Sequence, residues 1–177
     1  MTYTTLREQY KPTHIKLLFI AESPPPAADV QSSRHFYRSE KIRRDDRLFT
    51  NTIKALFPEA AALTEGQIQP NKEAWLKKFQ SAGYYMIEAL EESQVHEVTK
   101  LQRQEKIKAV LPHLIKRVKA LVEPGTRIIL IKSNVFDVAA QPLRSAGFKV
   151  LNTGLVDYPG RFNQHAYREK ITALIHG

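Results

Sequence analysis

Residues 15–26 read Ile15-Lys16-Leu17-Leu18-Phe19-Ile20-Ala21-Glu22-Ser23-Pro24-Pro25-Pro26. The apolar run from Ile15 to Ala21 predicts a strand. Consecutive prolines can neither continue a central strand nor build a helix interior, so the chain must turn sharply behind Glu22. A carboxylate therefore stands at the carboxyl end of the first strand.

Outward from this stretch, strands and helices alternate. A polar segment reaches to about Asp46, longer than an ordinary connection, and such loops usually carry function or lack structure. A short helix is predicted over Arg47 to Leu56. Another runs from about Asn71 to Ala82, with Trp75, Leu76 and Phe79 on one face and Gly83 as its stop. Tyr84-Tyr85-Met86-Ile87-Glu88 is the second strand. Ile107, Val110, Leu111, Leu114, Ile115, Val118, Leu121 and Val122 recur at helical spacing across residues 100–122. Pro112 is expected to kink that helix or to open its second half. Arg127 to Ile131 is apolar on consecutive positions, which suits a strand covered on both faces. A helix near Val135–Ala146, a fourth strand from Phe148 to Leu151 and a last helix from about Phe162 complete the pattern.

This alternation predicts one domain over residues 1–177, an α/β fold with three α/β/α layers and a short four-stranded, mainly parallel sheet. Ligands of such sheets bind beyond the carboxyl ends of the strands. The rule points to Glu22–Pro26, Glu88–Glu92, Lys132–Asn134 and the loop around Asp157–Asn163.

Composition narrows the chemistry. With 177 residues the chain is long enough for a core without staples, and its hydrophobic share of 42% is ordinary for a globular protein. It has no cysteine, which removes disulfides, thiolate metal sites, cysteine nucleophiles and cysteine-ligated iron–sulfur clusters together. Met1 to Lys16 holds no apolar signal-peptide core, and Leu17 to Ala21 is far too short to span a bilayer. A cytoplasmic protein without a membrane partner is the expectation.

The net charge is +9, which favours a polyanionic partner. Basic residues concentrate twice. Residues 34–47 hold Arg34, Arg38, Lys41, Arg43, Arg44 and Arg47, interleaved with Phe36 and Tyr37. Residues 100–119 hold Lys100, Arg103, Lys106, Lys108, Lys116, Arg117 and Lys119 against Glu105 alone, a pattern that reads as the solvated face of a helix.

Several sites are absent from the sequence. There is no P-loop and no G-x-G-x-x-G fingerprint. The histidines show no metal-ligand spacing, so no metal and no cofactor are expected. Ser23 and Ser133 follow strands but lack nucleophile-elbow glycines.

Two short motifs carry a resemblance. Ala21-Glu22-Ser23-Pro24-Pro25 ends the first strand, and Asp157-Tyr158-Pro159-Gly160-Arg161-Phe162-Asn163 follows the last. Together they resemble the motifs of the uracil-DNA glycosylase superfamily, and the similarity runs from about residue 15 to 176. Gly83 to Ala89 sits where that family has a strand ending in a base-reading Asn, and residues 111–131 resemble its helix and third strand.

The resemblance implies a DNA-binding glycosylase-like domain that hydrolyses the N-glycosidic bond of a damaged or non-standard base. Glu22 would organise water and Tyr158 would donate to the leaving base. Ser23, Pro24 and Pro25 would shape the loop against the nucleotide. Phe36, or second to it Tyr37, would stack on a flipped base. Glu88 would read the base edge, with Gly160 and Asn163 supporting it. Arg34, Arg38, Arg43, Arg44 and Arg161 would contact the DNA backbone. The chain departs from the family at three positions: Glu88 replaces Asn, Tyr158 replaces His and Ala21 replaces Gly. Lacking cysteine, it would belong with members that carry no iron–sulfur cluster.

Other readings of the same residues stay open. Glu22 is also a plain strand-end carboxylate or a helix cap, and Phe36 and Tyr37 equally suit a loop packed on the core. Tyr158-Pro159-Gly160 is ordinary turn chemistry. Glu88 equally suits an ion pair with Lys132, and Asn163 a helix N-cap. For the whole protein, the rivals are a non-catalytic nucleic-acid-binding module and a flavodoxin-like protein binding a nucleotide or phosphometabolite.

Overall fold

A computed structural model of the chain describes residues 2–25, 35–39, 46–94 and 99–177. Four strands form its sheet: β1 (Leu17–Ala21), β2 (Tyr84–Glu88), β3 (Arg127–Leu130) and β4 (Lys149–Val150). Their order is β2-β1-β3-β4 and every pairing is parallel. Leu17 lies opposite Tyr84 and Ala21 opposite Glu88, while on the other side Leu17 faces Arg127 and Ile20 faces Leu130. Every residue of β1 is buried. A strand buried on both faces needs a layer on each, which is the three-layer α/β/α arrangement.

Parallel neighbours require crossovers, and helices supply them. α1 (Tyr3–Glu8) precedes the sheet. α2 (Arg47–Leu56), α3 (Pro58–Ala61), α4 (Glu65–Ile68) and α5 (Lys72–Ser81) lie between β1 and β2. α6 (Lys100–Leu121) connects β2 to β3, α7 (Ser133–Ser145) connects β3 to β4, and α8 (Gln164–His176) ends the chain. α6 packs on α7, and α2 packs on α8.

Local chemistry explains most boundaries. Gly83 has φ of 78°, and an added Cβ would sit 2.9 Å from the His14 carbonyl oxygen, so only glycine joins α5 to β2 without strain. α6 starts with a capping box in which the Gln102 N–H donates to Thr99 Oγ1 at 3.2 Å and the Thr99 N–H donates to Gln102 Oε1 at 2.9 Å. It then runs unbroken through Pro112. Tertiary packing of Ile107, Leu114 and Val118, all fully buried, outweighs the lost backbone bond there.

The fourth strand is shorter than its sequence pattern. The side chain of Asn152 takes over the ladder beyond Val150, accepting from the Leu130 N–H at 2.7 Å and donating to the Leu130 carbonyl at 2.9 Å. An amide side chain thus stands in for a strand peptide. α1 is an element the sequence pattern does not announce, since Leu6 is the sole apolar residue it buries.

Candidate functional site

β1 leads outward to β2 on one side and the chain returns past it to β3 on the other. The strand order therefore reverses between β1 and β3, where α/β sheets hold ligands. A cleft of about 260 Å³ opens at this carboxyl edge. Ser23, Pro24 and Pro25 line one side of it, and His35, Phe36 and Glu88 line another. Arg103 enters from α6, Lys132 from the end of β3 and Tyr158 from the loop after β4. A cavity of about 150 Å³ holds benzene, so this one admits a heteroaromatic ring system but not a dinucleotide. A larger hollow of about 460 Å³ lies along α6 beside Leu90, Glu91, Val110 and His113. Its ionisable groups are solvated, whereas buried charges converge on the smaller cleft, which is the stronger site.

Glu22 is buried but does not itself line the cleft. Arg103 donates to its Oε1 at 2.6 Å and Lys132 to the same oxygen at 2.9 Å, while Asn134 Nδ2 donates to Oε2 at 2.5 Å. Burial works to raise the pKa of this carboxyl, but the bonds from Lys132 and Asn134 and the charge of Lys132 prevail and hold it below the ordinary carboxylate value. Glu22 is thus a fixed anion whose two cationic partners face the cleft. Lys132 carries the one non-glycine positive φ among the described residues, 82°. Such a backbone costs about 1–3 kcal/mol and persists only when its surroundings over-determine it. Here the Lys132 N–H donates to the Val156 carbonyl at 2.7 Å while its side chain is held by Glu22.

Glu88 is held differently from the ion pair with Lys132 that its sequence position allowed. Arg7 NH1 of α1 donates to Oε2 at 3.0 Å, and His35 Nε2 lies 3.2 Å from Oε1. Lys132 sits on the other carboxylate because β1 separates β2 from β3. Burial pushes the Glu88 carboxyl upward, yet His35 and Arg7 more than reverse this and its pKa is lowered. An ionised carboxylate accepts only, so His35 Nε2 is the donor. The network continues outward through Glu91, which Arg7, Arg117 and His113 approach at 3.8, 3.5 and 3.2 Å.

Phe36 and Tyr37 are both core residues, 3% and 1% exposed. Phe36 packs edge-on against Tyr37 and Phe49 and also borders the cleft. Tyr37 does not border it. Its hydroxyl accepts from the Met86 N–H at 2.6 Å. Their segment is pinned by Lys72, whose Nζ donates to the His35 carbonyl at 3.0 Å, pairs with Asp46 and lies over the Phe49 ring. Burial raises the Asp46 pKa and lowers that of Lys72, so this pair pays desolvation on both sides.

Tyr158 is 41% exposed and faces the cleft. Gly160 and Asn163 hold the turn beneath it: the Gly160 N–H donates to the Tyr158 carbonyl at 2.7 Å, and so does Asn163 Nδ2 at 2.7 Å. Asn163 occupies the N-cap position of α8, but its side chain makes no cap bond. Neither residue lines the cleft. Arg161 is exposed, with its guanidinium 5.5 Å from the Phe162 ring. Arg38 is half-buried, and Arg34, Arg43 and Arg44 lie outside the described residues.

Three site residues escape the sequence reading of the cleft: Arg7, His35 and Arg103. The charge pattern of residues 100–119 puts Arg103 and Arg117 on a solvated face, but they turn inward to Glu22 and to Glu91. His35 carried a usable signal, since it stands inside the aromatic and basic run that follows the Glu22 loop. Among the described residues no group of three His, Asp or Glu is placed to hold a metal ion, and no helix is long and apolar enough to cross a membrane. Compared with family models, curated proteins and solved structures, the chain matches none.

Proposed function

We propose that this domain binds DNA, takes one unstacked nucleotide into the cleft and hydrolyses its N-glycosidic bond in the manner of a divergent uracil-DNA glycosylase. The observation that carries the reading is convergence. Phe36, Glu88 and Tyr158, drawn from separate parts of the sequence, line one cleft together with Arg103 and Lys132. Both motifs of the resemblance border it, at Ser23-Pro24-Pro25 and at Tyr158.

Each wall has a use. Tyr158 offers an accessible ring for stacking, which offsets the few kcal/mol of unstacking. In the reaction, water oxygen bonds to C1′ as the C1′–N bond breaks, the electron pair leaves with the base, and the base nitrogen gains the proton that water gives up. Positive charge develops on the sugar and negative charge on the base. Arg103 and Lys132 suit the second. Glu22 contributes by anchoring those two cations.

The reading is tested by incubating the protein with oligonucleotides that carry different damaged bases and assaying for abasic sites. Base release that falls in Lys132→Met supports it. A protein that neither binds these oligonucleotides nor releases any base sinks it. The non-catalytic module draws support from Glu22, which is held by Arg103, Lys132 and Asn134 and does not line the cleft, and salt-sensitive binding without abasic sites would favour that rival.

A further inference from the structure

We infer that Glu88 is the specificity-determining residue of the cleft and that it selects a guanine edge, an inference that rests on reading the cleft as a base pocket. Arg7 holds one carboxylate oxygen at 3.0 Å and His35 holds the other at 3.2 Å. A carboxylate has about four lone-pair sites, so each oxygen keeps acceptor capacity after these bonds. His35 Nδ1 is buried without a hydrogen-bond partner among the described residues, so the ring's donated proton is committed to Glu88. Glu88 therefore presents two fixed acceptors and no donor.

Guanine meets that arrangement with two adjacent donors, N1–H and the 2-amino group. Uracil sets one N–H between two carbonyl oxygens, and adenine and cytosine each set an acceptor beside their amino group. Any of these would turn an oxygen or nitrogen lone pair toward a carboxylate oxygen, a repulsive contact. The adjacent Hoogsteen edge of guanine carries O6 and N7, both acceptors, for which Lys and Arg are the commonest partners. Lys132 and Arg103 line the same cleft and donate only. The substrate class is then guanine itself, or a guanine oxidised or alkylated elsewhere that keeps N1–H and the 2-amino group.

The test is calorimetric titration of the full chain with guanosine, inosine and uridine. Inosine differs from guanosine only in lacking the 2-amino group, so the comparison requires no variant. Guanosine is expected to bind about tenfold or more tighter than either of the others. Glu88→Gln, which replaces one acceptor by a donor, is expected to erase that advantage. In parallel, two single-stranded oligonucleotides differing only in a central guanine or uracil are titrated and assayed for base release. Equal affinities for the three nucleosides, or no affinity for guanosine, overturn the guanine assignment. So does release of uracil without release of a guanine-type base, which would sustain the DNA reading. Guanosine preference with no affinity for either oligonucleotide sustains the guanine edge and overturns the DNA reading instead.

Discussion

His35 and Glu88 meet at 3.2 Å inside the protein although 53 residues separate them in sequence. Each is at most 5% exposed, and Arg7 closes the far side of the carboxylate. Removing the centre of such a trio strands its neighbours. Glu88→Ala is expected to lower the unfolding free energy by about 3–5 kcal/mol, because a buried guanidinium is left without its main counter-charge. Urea denaturation monitored by circular dichroism checks this. A loss below about 1 kcal/mol would mean that Glu91 takes over the charge.

Acid sensitivity follows from the two lowered carboxyls. Glu22 and Glu88 have folded pKa values below the ordinary 4.5. A group lowered on folding binds fewer protons in the native state, so its stabilisation is fully present above the unfolded value and is lost as pH falls through the folded one. Stability should therefore fall with acidification below about pH 4.5, and Glu22→Gln should flatten that limb. Asp46, raised by burial, works in the opposite direction and partly offsets the fall. Thermal unfolding from pH 3 to 7, roughly spanning the carboxylate range, measures the slope. An unchanged slope in Glu22→Gln would refute the assignment.

Tyr37 and Phe36 separate core from cleft. Tyr37→Phe keeps the ring but leaves the Met86 N–H without its acceptor, for an expected loss of about 1–3 kcal/mol with ligand binding unaltered. Phe36→Ala should cost about 3–5 kcal/mol and also weaken binding, since Phe36 borders the cleft. Parallel denaturation and binding measurements distinguish the two. Equal effects on binding would show that the boundary lies elsewhere.

Lys132 combines strained backbone with a functional charge. Lys132→Gly relaxes the positive φ while removing the ammonium group, and Lys132→Met removes the charge alone. Both variants should slow base release, because each removes a cation that answers the charge on the leaving base. The glycine variant should be the more stable by about 1 kcal/mol. Equal stability of the two would show that Lys132 pays nothing for its conformation.

Much of the architecture is legible from periodicity, because strands such as Tyr84–Glu88 and helices such as Arg47–Leu56 are marked by composition and by Gly83 or Asp46 at their edges. The carboxylates of the site are legible from position, as residues at strand ends. The partners that reach them from α1 and α6 are not. Arg103 is one cation among seven in residues 100–119, and only the seam where α6 meets Glu22 distinguishes it from Lys108 or Lys119. Arg7 sits in a helix with too few apolar residues to show a period. Which buried charge answers which is a matter of three-dimensional register, and β1 lying between β2 and β3 decided that Glu88 and Lys132 would not meet.

Asn152 has a consequence for how copies of the chain meet. Its amide occupies both the N–H and the carbonyl of Leu130. Those are the groups an extended segment from another molecule would seek at an unsatisfied sheet margin. The side chain closes that margin against intermolecular strand addition. It also releases the following residues from the ladder, so they can travel to Tyr158 at the cleft. One amide thus closes the end of the ladder and delivers the loop.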